Sequence, residues 1–482
     1  MALVLILVIP CVAALVALAS PRVAPWTSLA AALATLALAV VAALGITHGG
    51  VIYAAGRTLS LDPAAALYLL LVAFVGVTAA LYSIGYLHAR AAERGTGLPP
   101  RYRQYWPLFN IFLASMLAVP LVANLAVIWI AIELTTIFSA FLVAYDDRPE
   151  ALEAAWKYVV LTSMGAMIAL LGVLVLYYGV SRLGQAVTWS GLMAAAPHMQ
   201  PAVLLTGFIL WLVGFGAKTG LVPLHTWLPD AHSQAPAPIC ALLSGVETSA
   251  ALYMLLRIYP ALAANPGIDH PEAWYLVAGL ITVATAAFLL FQVHDFKRLF
   301  AYSTIEHMGI ILTARGLGGG DQLGTVYQFF AHAFTKSFCF YAAGLATLVF
   351  GTQEIAAVRG LINRSPLVGW AMLLGALAIA GTPPFALFIS EFRILATGFG
   401  TGQYVATGLL TVFIVLAFIA ILYQVGRIAF GEPAASTVTP LPVTSVAALA
   451  VAFAPVLVFG LYLPPPLTAL IRQAAALLGG AS

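Results

Sequence analysis

Runs of about twenty apolar residues, separated by short polar stretches, repeat along the whole chain. A hydrocarbon core of about 30 Å takes roughly 20 residues of α-helix. Fourteen stretches have that character: 2–20, 28–46, 64–87, 107–123, 125–145, 157–179, 202–220, 236–258, 273–293, 299–314, 324–349, 367–392, 403–430 and 440–462. The first starts Met1-Ala2-Leu3-Val4 without the basic stretch of a signal peptide, so it is expected to remain as a span. The pattern predicts an all-α polytopic membrane protein of about 14 transmembrane helices. No connection exceeds about 20 residues, so no extramembrane catalytic domain is expected.

Composition sharpens this reading. Hydrophobic residues make up 63% of the 482 and charged ones 8%, where soluble domains carry about a quarter charged. A soluble globule, a disordered chain and a nucleic-acid binder are excluded, and the net charge of +3 is scattered. Cys11, Cys240 and Cys339 lie far apart with no CxxC spacing, so this chain alone builds no iron–sulfur cluster, zinc ribbon or disulfide framework. With both termini outside, eleven Lys and Arg fall in inner loops (Arg22, Arg90, Arg94, Arg101, Arg103, Arg148, Lys297, Arg298, Arg359, Arg364 and Arg427) and six in outer ones. The bias predicts an inner-membrane protein with both ends periplasmic in a bacterial host.

Charges inside such helices each cost a few kcal/mol and mark function by default. They are Glu133, Lys218, Glu247, His307, His332, Lys336 and Glu391, with His332 and Lys336 one turn apart. For any single one, an ion pair tying two helices is the alternative explanation, and for the whole set it is a weaker one. Acids, lysines and histidines spread over this many spans read as a proton or ion relay. Two spans are interrupted, one by Pro223 and Pro229 and the other by Pro383 and Pro384, each within about ten residues of Lys218 or Glu391. Interrupted helices are tolerated where the freed carbonyls line water or protein, and paired interruptions mark transport sites in repeat carriers.

These residues carry a family resemblance. The run KTGLVPLHTWLPDAHSQAPAPICALLSGVETSAALYMLLR (218–257) resembles the signature of the antiporter-like membrane subunits of respiratory complex I, energy-converting membrane-bound hydrogenases and Mrp-type cation/proton antiporters. Further matches are SLDPAAALYLLLVAFVGVTAALYSIGYL (60–87), the Glu133 helix, DFKRLFAYSTIEHMG (295–309), HAFTKSFCFYAAG (332–344) and GTPPFALFISEF (381–392). The run Ile305-Glu306-His307-Met308-Gly309, FALFISEF and GLYLPPPL (460–467) are most similar to the hydrogenase 4 component F type. The resemblance implies two inverted five-helix repeats, each a half-channel, with segments 1–106, 107–258, 273–430 and 431–482 as N-terminal helices, first repeat, second repeat and C-terminal helix with tail.

It further implies that Glu133 is the switching glutamate, Lys218 the lysine of the first broken helix, His307 an axial histidine, His332 and Lys336 second-half positions and Glu391 the terminal residue. Many members carry Lys in the order SGV-x-x-Lys; this chain has Ser249 there and Glu247 two residues earlier, which implies a path through Glu247, water or both. A carboxylate about 4 Å away is worth about 4 kcal/mol at an effective dielectric near 20, so a Glu133 that approached Lys218 would decide whether the lysine keeps its proton. The implied function is a proton-translocating, non-catalytic subunit of a redox-driven complex. Its partners would be the lipid membrane, other membrane subunits and redox subunits holding the iron–sulfur clusters, nickel–iron site or quinone. Alternatives are a cation/proton antiporter subunit carrying H+ or Na+, a proton-coupling partner of an inorganic-carbon uptake module, and a scaffold that conducts nothing.

Other features have plainer expectations. His225, Asp230 and His232 suggest a metal set, but Pro229 is expected to break the helix that would align them, which leaves loop anchoring or proton access. With Ser249 and Glu306 they are candidates for lining a channel. Gly316-Leu317-Gly318-Gly319-Gly320 is expected to be a turn, Asp295, Lys297 and Arg298 an anchor, and Arg257 with Asp62 a helix-end pair. Tyr102, Tyr105 and Trp106 are expected in an interfacial belt.

Overall fold

The computed structural model describes residues 1–47, 49–93, 95, 98–99, 101–318, 322–432 and 440–480; Arg94, Gly319 and Gly320, named above, lie outside them. Helices follow in the order α1 (Ala2–Ala19), α2 (Ala24–Leu44), α3 (Pro63–Glu93), α4 (Tyr102–Leu121), α5 (Leu125–Val143), α6 (Pro149–Ser181), α7 (Trp189–Ala195), α8 (Pro201–Thr219), α9 (Trp227–Gln234) and α10 (Ala237–Leu242). The second half continues with α11 (Thr248–Ala263), α12 (Glu272–Leu289), α13 (Phe296–Gly316), α14 (Leu323–Phe350), α15 (Leu361–Arg364), α16 (Pro366–Ile379), α17 (Ala386–Gly400), α18 (Tyr404–Ala429), α19 (Val443–Leu461) and α20 (Pro465–Gly479). A hairpin of β1 (Ile52–Ala54) and β2 (Leu59–Leu61) pairs antiparallel, Ile52 opposite Leu61.

Among the described residues, twelve helical spans are long and apolar enough to cross a membrane. Two crossings are added to these. α13 has 21 residues but carries Lys297, Arg298, Glu306 and Arg315. α16 and α17, of 14 and 15 residues, cross only as a pair. The fourteen expected spans are all present. Five crossings separate the start of α4 from the start of α12, so the second five-span set runs upside down relative to the first, and each contains one broken helix.

The centre is built by the α10–α11 unit, α14 and α3, whose most apolar windows are 100%, 89% and 83% buried, against 33% for α1, α18 and α19, which turn outward to lipid. Both ends of the centre are pinned by ion pairs. Asp62 accepts from the Ala65 N–H at 2.9 Å, starting α3, and its other oxygen takes Arg257 of α11. The guanidinium also donates to the Tyr253 hydroxyl (2.5 Å) and lies over the Trp189 ring. At the opposite end Arg90 of α3 pairs with Asp146, and Arg101 with Asp147 at 2.7 Å.

Two expectations are corrected. Tyr105 and Trp106 are buried rather than set in a belt, because the Ser83 hydroxyl (2.7 Å) and the Tyr145 ring draw Tyr105 inside. Pro229 breaks nothing: it is the third residue of α9, where a helix needs no donated N–H. The tail after residue 462 folds as α20, whose Leu470, Ile471, Ala474, Ala475 and Leu478 are buried and pack toward α3, α11 and α14.

The Asp62–Arg257 pair generates a prediction. Both side chains are about nine-tenths buried, so Asp62→Ala leaves a buried guanidinium without its anion and is expected to destabilise by about 3–5 kcal/mol. Thermal unfolding of the detergent-solubilised chain should show a lowered Tm, and Asp62→Ala with Arg257→Met should recover most of the loss. An unchanged Tm in the single variant would mean that the pair contributes nothing to folding.

Candidate functional site

Both helix breaks are built the same way. α8 ends with Gly220 at φ +86°, the Leu221 N–H bonding Gly216 O at 2.8 Å and the Gly220 N–H reaching Ala217 O. α16 ends with Gly381 at φ +69°, the Thr382 N–H bonding Leu377 O at 3.1 Å and the Gly381 N–H reaching Ala378 O. This is the Schellman arrangement, which needs a left-handed residue and hence glycine. Prolines follow in each, Pro223 and the pair Pro383 and Pro384, and prevent the helix from resuming at once. The carbonyls released at the breaks are met by side chains: Trp227 Nε1–H donates to Ala217 O at 2.8 Å, and His307 Nε2 lies 2.9 Å from Ile379 O.

Lys218 is the last turn of α8, where the helix dipole favours a cation. It is 2% exposed. Its Nζ donates to Glu247 Oε1 at 2.8 Å and to Thr136 Oγ1 at 2.5 Å. The same carboxylate oxygen also accepts from Tyr158 OH (2.5 Å), Thr135 Oγ1 (3.1 Å) and Ser139 Oγ (3.4 Å), while Glu247 Oε2 has no hydrogen-bond partner. Glu133 is not the partner of Lys218. It points toward α6 and accepts from Ser163 Oγ at 2.6 Å, because one face of α5 presents Thr135, Thr136 and Ser139 inward while Glu133 sits at its half-buried margin.

Between α10 and α11 the residues Leu243–Glu247 form a π-helical turn. Such turns displace the hydrogen-bond ladder by a residue and occur often at functional sites. Here Glu247 faces the Lys218 cluster, while Ser244 faces the second half. Ser244 Oγ meets Thr304 Oγ1 at 2.6 Å, and its carbonyl receives Thr248 Oγ1 (2.9 Å) and lies 3.4 Å from His332 Nε2. Ser249 takes no part: its hydroxyl donates to Gly245 O of its own helix.

The second cluster comes from α13, α14 and α17. Lys336 Nζ donates to Phe300 O (2.7 Å) and Ser303 Oγ (2.5 Å), with no carboxylate in ion-pair range among the described residues. The His332 and His307 rings are 5.2 Å apart. Glu391 lies 3.8 Å from His307 Nδ1, and both touch Gln328. Gly381 leaves the space that the Glu391 carboxylate fills; a Cβ there would overlap it. Glu306 is buried beside His307, its Oε2 without a hydrogen bond.

His225, Asp230 and His232 do not converge. Asp230 binds Lys157 (3.1 Å) and Arg298 (2.6 Å), clasping α6, α9 and α13. His232 is buried with Nδ1 on Leu228 O at 2.7 Å, and His225 sits half-buried in the break. Asp295 caps α13 through the Lys297 and Arg298 N–H groups, and Lys297 Nζ caps the end of α9 at Ser233 O and Ala235 O. This group is a rim clasp. Sequence reasoning missed Tyr158, Thr135, Thr136, Ser139, Gln328 and the π-turn. Gln328 carried one signal, its i, i+4, i+8 spacing with His332 and Lys336 on α14.

Comparison with known proteins agrees with this geometry. Residues 122–420 match the family model "NADH:quinone oxidoreductase/Mrp antiporter, TM", and residues 53–95 match "NADH-Ubiquinone oxidoreductase (complex I), chain 5 N-terminus". A Hydrogenase-4 component F homolog of Methylacidiphilum infernorum is 38% identical over 76% of this chain and 78% of its own length. A chain of the archaeal membrane-bound sulfane sulfur reductase superposes with TM-score 0.88 at 24% identity, covering 99% of this chain and 97% of its own. A chain of respiratory complex I from Thermus thermophilus gives 0.83 at 22% identity, with 100% of both covered. A family model that spans more than half of the sequence, together with that relative, places the chain in the family of NADH:quinone oxidoreductase and Mrp antiporter membrane subunits.

Proposed function

We propose that the chain moves protons across a bacterial inner membrane as the non-redox subunit of a redox-driven complex, similar to hydrogenase 4 or NADH:quinone oxidoreductase. The observation that carries this reading is the row of buried titratable groups within the helices, Lys218 and Glu247 in one cluster beside the π-turn and Lys336, His332, His307 and Glu391 in the other. The two halves, 107–258 and 273–430, act as half-channels. The arginine- and lysine-rich end faces the cytoplasm and both termini the periplasm. Iron–sulfur, nickel–iron or quinone chemistry belongs to partner subunits.

The first cluster suits proton exchange. Four donors converge on Glu247 Oε1, the pattern of an ionised carboxylate, and Oε2 is where a proton can be received. Once Glu247 is neutral, Thr135 and Ser139 have alternative acceptors at Ile132 O (2.7 Å) and Thr136 O (3.2 Å). Protonation therefore releases Lys218 without stranding the hydroxyls. Ser244 and Thr304 share a hydroxyl hydrogen bond between the two halves, and His332, whose Nε2 faces the Ser244 carbonyl, keeps Nδ1 as its open nitrogen. Glu133, bonded to Ser163 at the half-buried margin of α5, is the outer member of the row.

In vesicles carrying the assembled complex, Lys218→Ala and Glu247→Gln are expected to reduce driven proton uptake about 100-fold, the scale of a positioned proton-transfer group. Equal uptake in both variants and wild type would sink the relay. Gly381→Ala, by displacing the Glu391 carboxylate, should also abolish most uptake, whereas Gly408→Ala, where nothing lies near the added methyl, should leave it intact. Mass spectrometry of the gently purified tagged chain should find subunits with iron–sulfur or nickel sites. Finding only small multi-span proteins would favour an antiporter, and finding only a soluble partner would favour an uptake module.

A further inference from the structure

One neutral side chain in the second cluster has both of its polar atoms engaged. Gln328 of α14 has no solvent exposure. Its Nε2 lies 2.9 Å from His307 Nδ1 and donates to Glu391 Oε1 at 3.2 Å, and its Oε1 accepts from the Ser390 hydroxyl. On the far side of the imidazole, Nε2 of His307 faces Ile379 O, which can only accept. A neutral His307 therefore carries its proton on Nε2 and a lone pair on Nδ1, and the amide must present its NH2 to that lone pair. The arrangement is self-consistent for His307 neutral and Glu391 ionised.

A proton on His307 Nδ1 breaks it, because Nδ1–H and the amide NH2 would then face each other as two donors. Turning the amide by about 180° about its terminal bond, a torsion with broad and roughly two-fold preference, restores the bond to Nδ1. It also sets the amide oxygen against the Glu391 Oε1 that its NH2 had faced at 3.2 Å, two acceptors that a proton on the carboxylate reconciles. The amide oxygen then accepts from Nδ1–H, and the NH2 donates to Ser390 Oγ, whose own proton already has Leu387 O as an acceptor at 2.9 Å. The amide carries no proton in either orientation. His307 Nδ1 and Glu391 Oε1, at 3.8 Å, are also beyond the roughly 2.6–3.2 Å that transfer requires.

We propose that Gln328 is a positioning residue, a flipping amide that decides when His307 and Glu391 exchange a proton; this rests on the proton-translocation reading above. With its NH2 toward the pair it keeps Nδ1 unprotonated and holds the two apart. With its oxygen toward the pair it holds a proton on Nδ1 at the edge of the carboxylate. The carboxylate then closes on Nδ1; the N–H bond breaks and an O–H bond forms on Glu391. Imidazole and carboxyl are left neutral, and the regenerated lone pair draws the NH2 back.

The test uses the assembled complex with 15N-labelled histidine, read by solid-state NMR, with His307→Gln to assign the His307 signals, and proton uptake by vesicles. Wild type should show His307 as the Nε2–H tautomer alone. Gln328→Met, close in volume but without the amide, should keep the proton on Nε2, which Ile379 O fixes, but show part of His307 doubly protonated, with about tenfold or greater loss of uptake. Ser390→Ala, which removes only the partner of the amide oxygen, should raise the doubly protonated share of His307 in the same direction and guards against a folding defect in the Met variant. A neutral Nδ1–H tautomer in wild type, or full uptake with no doubly protonated His307 in Gln328→Met, would overturn the proposal. Wild-type vesicles with the expected tautomer but no uptake would sink the translocation reading, and the gating role with it, while the hydrogen-bond assignment stood.

Discussion

Hydrocarbon offers no hydrogen bonds, so every carbonyl released by a helix break must find its donor inside the protein. That constraint organises the whole centre of this molecule. Trp227 answers the break after α8 and His307 the break after α16, each pulling a separate helix against the break. Because His307 is spent on a carbonyl through one nitrogen, only the other is free for chemistry. The structural demand of the break thus fixes which face of the imidazole would serve in the proposed relay. Lys218 gains in the same way, since the break ends a helix and the negative end of its dipole lies under the ammonium group.

Much of this was legible in the sequence, for a physical reason. In a chain with 8% charged residues, each charge within an apolar run stands out, and glycine and proline at the breaks announce themselves by backbone chemistry. Pairing was not legible. Whether Lys218 meets Glu133 or Glu247 depends on helix rotation, and the rotation of α11 is set by the π-turn at Leu243–Glu247, which leaves no periodic signature in so uniformly apolar a stretch. Hydroxyl and amide groups were passed over because a search for charge is blind to neutral donors. Yet Thr136, Tyr158 and Gln328 determine what the charges can do. The terminal helix α20 was missed for a different reason: after a run of three prolines its short amphipathic pattern reads as tail.

The halves share a frame but not an electrostatic solution. Lys218 has a carboxylate at 2.8 Å, whereas Lys336 is held by a carbonyl and a hydroxyl. Removing either member of the first pair strands a buried charge, while Lys336 can lose its proton without leaving an anion behind. The first lysine is thus held in an ion pair and the second is not, which gives the row an inherent asymmetry despite its inverted repeat.

The same asymmetry appears in two acids that occupy one register. Asp230 and Glu391 each follow the left-handed glycine of their break by ten residues. α17 resumes at Ala386, five residues after its glycine, and buries Glu391 against His307 and Gln328; α9 resumes at Trp227, seven after, and delivers Asp230 to Lys157 and Arg298 at the rim. A shift of two residues is more than half a helical turn, enough to send equivalent carboxylates in different directions. One break therefore yields a clasp and the other a buried acid, from a common local design.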